Sequence, residues 1–192
     1  KYLYDFGNQL GDWLALDGRT EQSMEGGTDE YFIGSCYYSM SVKKVARAAE
    51  ILGYEDLAAE YEKLYSRIYQ AILKEYFTES GRLAIDSQTG YITALYAGVY
   101  KEKQQVIEGL KGRLFQDCYK LKGGFAGAPI MCKVMAENGM EEEAFYFLMQ
   151  EDYPGWMHCV ELGATTIWER WNSVLDNGML SGTMMNSLNH YA

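Results

Sequence analysis

Long apolar runs are missing from this sequence, and so are several motifs by which common binding sites are recognised. No run approaches the ~18 apolar residues that a membrane-spanning helix needs, and no signal peptide is visible. The glycine-rich phosphate loop, the HExxH metal motif and the GxSxG nucleophile motif are also absent. We therefore expect no membrane partner, no cofactor and no metal ion.

Basic residues are in the minority. Seventeen Lys and Arg residues stand against 27 Asp and Glu residues, so the formal net charge is -10 at pH 7. An acidic surface repels phosphate backbones and anionic lipids, which argues against nucleic acid as a partner. A neutral substrate is compatible with this charge.

Cysteine is scarce and scattered along the chain. The four residues form no CxxC pair and no zinc-like cluster; they are Cys36, Cys118, Cys132 and Cys159. This spacing favours free thiols in a reducing compartment, and we expect a cytoplasmic protein. Secretion stays open as an alternative, because the chain begins without an initiator Met.

Strong β alternation is also scarce, whereas helical periodicity runs through much of the chain. Gly53, Gly98 and Gly139 each end an apolar stretch, and their separations of 45 and 41 residues fit a repeated helix–turn–helix unit. We predict an all-α fold whose alternating inner and outer helices close into an (α/α) toroid or stay open as a solenoid. Short extended segments are expected only in loops, at residues 82–86 and 156–160.

The first 28 residues show no long helical period, and glycines punctuate them. We predict a long ordered loop, with Thr28 capping the first helix. Long loops in compact domains often carry function, which draws attention to Asp12 and Trp13. The alternative is a connector in which Trp13 fills a gap in the core.

A single carboxylate between two tryptophans is the most distinctive feature of the sequence. Residues 163–171 read GATTIWERW, with Glu169 between Trp168 and Trp171 and beside Arg170. Sugars have apolar C–H faces and polar edges, so flat aromatic walls with a few polar groups suit them. Glycoside hydrolysis also needs carboxylates at the scissile bond. The alternative is that the tryptophans pack in a core and Glu169 pairs with Arg170.

Five segments in this order resemble α-L-rhamnosidases of glycoside hydrolase family 78. They are GDWL at 11–14, QTGY at 88–91, GGFAGAP at 123–129, GATTIWERWNS at 163–173 and MNSLNHYA at 185–192. The resemblance spans nearly the whole chain, and the ATTIWERW run is its most specific part. It implies part of an (α/α)6 catalytic barrel, and we expect residues 1–192 to be that domain truncated at both ends.

The resemblance also implies roles for individual residues. Glu169 matches the general base of an inverting hydrolase of terminal α-L-rhamnosides, and His190 matches a histidine of the sugar pocket. Trp13 matches an aromatic of the sugar-binding wall, and Asp12 beside it is expected to bond hydroxyls. Trp168 and Trp171 are expected to face the sugar as well.

The general acid of this family lies upstream of the segments matched here, and we find no counterpart in the chain. Asp12, Asp17 and Asp29 are spare carboxylates that the resemblance does not assign as the acid. His158 is interpreted as structural.

Two alternatives to an α-L-rhamnosidase domain stay open at this stage. One is another (α/α)-barrel glycosidase, which hydrolysis of aryl glycosides of several sugars would distinguish. The other is a non-catalytic helical-repeat module that binds carbohydrate or protein, which turnover by the full-length protein would exclude.

We predict that this chain alone does not hydrolyse rhamnosides and that it self-associates. The missing acid withholds a contribution of about 10²–10⁴-fold. Part of a toroid also leaves an apolar seam on inner-helix faces without neighbours. Light scattering should therefore detect association. A dilute sample that stays monomeric, or turnover of an aryl rhamnoside by the chain alone, would contradict the corresponding half of this prediction.

Overall fold

The described residues of the computed structural model are 2–18, 20, 23–182 and 184–190. The last two residues of the segment at 185–192 therefore lie outside them. The described residues form seven helices, which are Glu30–Ile51 (α1), Glu55–Tyr76 (α2), Gln88–Ala97 (α3), Lys103–Gln116 (α4), Ala128–Ala136 (α5), Glu141–Leu148 (α6) and Trp156–Glu161 (α7).

The first six helices pack as three successive hairpins. Helix α1 packs on α2, α3 on α4, and α5 on α6. Between hairpins, α3 contacts both α1 and α5. Helices α1, α3 and α5 therefore form an inner row, and α2, α4 and α6 lie outside it, as the repeat predicts.

Glycine ends helices at the predicted places. Gly53, Gly98 and Gly139 have φ angles of 78°, 67° and 74°. A side chain on Cβ disfavours this left-handed region, so glycine suits a helix stop there. The predicted cap of α1 is off by one residue, because the Asp29 carboxylate accepts the N–H of Phe32 at 2.7 Å. The Thr28 hydroxyl is instead buried against the Ser87 hydroxyl.

One continuous core lies between the two rows of helices. Nine of the ten residues of α3 are buried, as expected for an inner helix with neighbours on several sides. The outer helices contribute one face each. The largest fully buried side chains include Phe32, Ile68, Ile72, Leu83, Ile92, Leu110, Leu114, Met131, Met135 and Phe147.

The extended segments differ from the prediction. Within the described ranges there is no named strand, and the isolated bridges are Trp13 with Glu25, Phe77 with Leu83, and Val174 with Leu180. Residues 82–86 contribute only the single bridge at Leu83. The expectation for 156–160 is wrong, because these residues lie in helix α7. A short apolar run fits a strand or a buried helical turn equally well.

No helix in the part of the chain that the structure describes is long and apolar enough to cross a membrane.

Leu110→Ala should destabilise the fold strongly. Leu110 is fully buried on α4, and deleting such a side chain leaves a cavity that costs about 2–5 kcal/mol. Leu52→Ala is the matched control, because that leucine is 69% exposed and should change the free energy of unfolding by less than about 0.5 kcal/mol. Urea unfolding of both variants measures the difference, and equal effects would contradict the burial of Leu110 in the core.

Candidate active site

Two distant parts of the C-terminal segment run side by side. The Glu169 N–H donates to the Ser187 carbonyl at 2.9 Å, and the His190 N–H donates to the Ile167 carbonyl at 2.8 Å. Between them the chain turns back through the bridge of Val174 with Leu180. Backbone pairing thus brings Glu169 and His190 together although 21 residues separate them in sequence.

The Glu169 carboxylate is held on one side and faces an imidazole on the other. Its Oε2 accepts the N–H of Ser187 at 2.9 Å. Its Oε1 lies 3.8 Å from Nε2 of His190, and the two side chains are only 11% and 29% exposed. This distance is too long for a hydrogen bond, so a small adjustment would be needed to form one.

The His190 ring stacks on Phe125. The ring centroids are 5.1 Å apart and the ring planes are inclined by 16°. Nδ1 of His190 is buried, and none of the residues that the structure describes gives it a hydrogen bond. A buried polar atom without a partner calls for an explanation, and an ordered water is an ordinary one.

Aromatic side chains form the walls of the cleft beside Glu169. The cleft is lined by Leu14, Gly124, Phe125, Ala128, Pro129, Trp156, Ile167, Trp168, Glu169 and Trp171. Trp171 meets Trp156 edge to face, with centroids 5.3 Å apart. Its indole N–H donates to the Gly123 carbonyl at 3.3 Å, which fixes the ring against the loop before α5. The structure therefore brings Trp168, Glu169 and Trp171 together around one apolar cleft.

The loop at residues 123–127, here called the glycine loop, is tied to Asp12. Asp12 has no exposed surface. Its Oδ2 accepts from the Thr89 hydroxyl and the Gly124 N–H, and its Oδ1 accepts from the N–H groups of Ala126 and Gly127. This burial argues against the predicted contact of Asp12 with substrate hydroxyls.

Trp13 lies behind the glycine loop. It is half-buried, and its carbonyl accepts the N–H of Phe125 at 3.0 Å. Leu14, the next residue, lines the cleft. Trp13, which was expected to form part of the wall, does not line it. A sugar contact of Trp13 stays a prediction.

The other two spare carboxylates also have protein partners. Asp29 caps α1 and accepts from the Tyr76 hydroxyl at 3.3 Å. Asp17 accepts the N–H of Gly27 at 2.9 Å, and burial raises the pKa of its carboxyl. These contacts explain both residues without catalysis. His158 lies on α7 with its Nε2 3.5 Å from Asp176, and the structure gives it no place in the cleft.

Phe125 and Ser187 are the two contacts of the site that the sequence did not reveal. Phe125 supports the imidazole and Ser187 holds the carboxylate. A lone aromatic among the glycines of GGFAG is the signal that could have marked Phe125. Ser187 acts through its backbone, so its residue type carries no signal.

Comparison with known proteins finds matches along nearly the whole chain. Residues 3–192 match the family model described as the bacterial α-L-rhamnosidase 6 hairpin glycosidase domain. An α-L-rhamnosidase from Formosa agariphila is 34% identical over 193 residues, which cover 96% of this chain and 20% of that protein. An α-L-rhamnosidase from Streptomyces avermitilis is 30% identical, covering 95% of this chain and 17% of that protein.

Solved structures agree with the fold. The crystal structure of an α-L-rhamnosidase from Aspergillus terreus matches with a TM-score of 0.88 and 28% identity, over 96% of this chain and 22% of that one. The Streptomyces avermitilis α-L-rhamnosidase complexed with L-rhamnose matches with a TM-score of 0.87 and 29% identity, over 100% of this chain and 18% of that one. The predicted all-α hairpin fold is therefore confirmed. The chain spans about a fifth of the length of these relatives.

Trp171→Phe should loosen the junction between the cleft and the glycine loop. The substitution keeps an aromatic ring but removes the hydrogen bond to Gly123, which typically contributes about 0.5–1.5 kcal/mol. Trp156→Phe is the matched control, because it changes the other ring of the same pair and leaves Gly123 bonded. Urea unfolding should show the larger loss for Trp171→Phe. An equal or smaller loss would mean that the indole N–H does not hold the loop.

Proposed function

Since this chain belongs to the 6 hairpin glycosidase domain family of bacterial α-L-rhamnosidases, we propose that it forms part of the catalytic domain of an α-L-rhamnosidase. The full-length protein would hydrolyse terminal, non-reducing α-L-rhamnosides with inversion. One observation carries the proposal: the Glu169 carboxylate, fixed by Ser187 and facing His190, opens on a cleft walled by Trp168 and Trp171.

In the proposed reaction Glu169 is the general base. It removes a proton from a water molecule as the water oxygen attacks the anomeric carbon. The bond between that carbon and the glycosidic oxygen breaks, and a general acid protonates the departing oxygen. Inverting enzymes place the two carboxyl groups about 6.5–9.5 Å apart, which leaves room for the water.

We place the general acid outside these 192 residues, upstream in the full-length protein. The carboxylates of Asp12, Asp17 and Asp29 accept hydrogen bonds from backbone N–H groups, and the resemblance to the family assigns none of them as the acid. The chain also spans only about a fifth of its relatives, so most of their length is available to supply the acid.

Sugar recognition in this proposal divides between flat and polar surfaces. Trp168 and Trp171 give apolar faces for C–H groups. His190 gives polar ring atoms beside Glu169, and its buried Nδ1 suits an ordered water. The relative solved with L-rhamnose supports a sugar of this kind as the substrate. A panel of 4-nitrophenyl glycosides tests the choice, and turnover of another sugar in preference to α-L-rhamnoside would contradict it.

Glu169→Gln in the full-length protein should lower kcat by at least about 10²-fold, the low end for general base catalysis. The amide oxygen can still accept the Ser187 N–H, so the fold and rhamnose binding should persist. Glu161→Gln, an exposed carboxylate on α7, is the matched control and should leave kcat unchanged. Kinetics on 4-nitrophenyl α-L-rhamnoside, with rhamnose binding by calorimetry, measure both. Near-full kcat in Glu169→Gln would mean that another carboxylate is the base.

A further inference from the structure

The geometry points to Asp12 as a positioning residue for the catalytic site: by holding the glycine loop, it places Phe125 under His190 and so sets His190 against Glu169. This inference rests on the proposed function for the role of Glu169. Asp12 itself does not touch the cleft, because it is completely buried and both its oxygens accept hydrogen bonds.

Four hydrogen-bond donors meet at the Asp12 carboxylate, and three of them belong to the glycine loop. The Thr89 hydroxyl donates to it from α3 at 2.5 Å, and the N–H groups of Gly124, Ala126 and Gly127 donate at 2.9, 2.8 and 3.2 Å. Three backbone donors within four residues aimed at one carboxylate fix the course of that loop. The inner helix α3 supplies the fixed point against which the loop is held.

The loop lies in very close contact with its neighbours. A Cβ at Gly124 would lie 2.2 Å from the Trp13 carbonyl oxygen, and a Cβ at Gly127 would lie 2.0 Å from the Thr89 hydroxyl oxygen. Such approaches are possible only for glycine. The loop is therefore packed directly on the segment that carries Asp12 and on α3.

The held loop reaches the site along two routes. Phe125 donates its N–H to Trp13 and stacks its ring on His190, whose Nε2 lies 3.8 Å from Glu169. The Gly123 carbonyl accepts the indole N–H of Trp171 in the aromatic wall. A shift of the loop would therefore move the imidazole beside the base and one wall of the cleft together.

A carboxylate suits this place because it only accepts hydrogen bonds. In Asp12→Asn the amide would set an NH₂ group against N–H or O–H donors, although the side chain keeps its shape. The N–H groups that face the new NH₂ group would lose their acceptor. The glycine loop should therefore shift while the core stays packed. Asp12→Asn therefore changes the hydrogen bonds that position the glycine loop and leaves the size of the side chain almost unchanged.

The kinetic test compares Asp12→Asn with Asp17→Asn in the full-length protein on 4-nitrophenyl α-L-rhamnoside. A misplacement of about 1 Å can cost about 10²-fold, so we expect kcat for Asp12→Asn to fall by at least about 10-fold with a smaller change in KM. Asp17 accepts the N–H of Gly27 in the N-terminal loop and not an N–H of the glycine loop, so Asp17→Asn should stay within about twofold. A loss of thermal stability in Asp12→Asn with normal kcat would overturn the inference.

If Asp12→Asn does not fold, Thr89→Val removes one donor and should lower kcat in the same direction, and a normal kcat there would count equally against it.

A double-mutant cycle tests the route through Phe125. If Asp12 acts through that ring, the effect of Asp12→Asn should shrink to less than about threefold in a Phe125→Leu background. Effects on kcat that multiply would show that the two residues act independently and would contradict the proposed route.

A measurement without turnover separates this inference from the proposed function. In histidine-labelled full-length protein, the ring signals of His190 can be assigned from their absence in His190→Gln. Asp12→Asn should shift them, because Phe125 stacks on that ring, and Asp17→Asn should not. Wild-type protein inactive on rhamnosides would remove the proposed function alone, whereas unmoved His190 signals would remove the positioning role alone.

Discussion

The arrangement of the site depends on the hydrogen bonds that the buried carboxylate of Asp12 accepts. An isolated charge in a protein interior is costly unless hydrogen bonds satisfy it. Here one hydroxyl and three backbone N–H groups do so. Those donors come from α3 and from the chain that leads into α5, so the N-terminal loop and two inner helices meet at one side chain.

The helices supply rigidity, and the irregular segments supply the chemistry. The inner helices α1, α3 and α5 share one core. Most of the residues that line the cleft lie in the irregular segments that connect or follow the helices. Backbone pairing between residues 167–169 and 187–190 then sets Glu169 beside His190. A fixed scaffold with functional groups on its connecting segments is a common arrangement in enzymes.

The sequence predicts helices better than it predicts the site. Glycine stops such as Gly98 are local signals, since a single residue fixes the left-handed turn. Asp12 reads as a candidate ligand for sugar, because nothing in a loop sequence tells whether a carboxylate faces solvent or backbone donors. Phe125 escapes notice because its partner, His190, is 65 residues away and meets it only after the chain has folded. The ATTIWERW run marks Glu169 in the sequence, whereas the hydrogen bond that Glu169 accepts from the Ser187 N–H is visible only in the structure.

The anomeric form of the first product tests the central claim that Glu169 acts as a general base on water. Proton NMR of the full-length protein hydrolysing 4-nitrophenyl α-L-rhamnoside resolves the anomers of rhamnose before they interconvert. The account predicts that β-L-rhamnose appears first, because water attacks from the face opposite the leaving group. Release of α-L-rhamnose first would contradict the account, since retention requires a carboxylate that attacks the sugar itself.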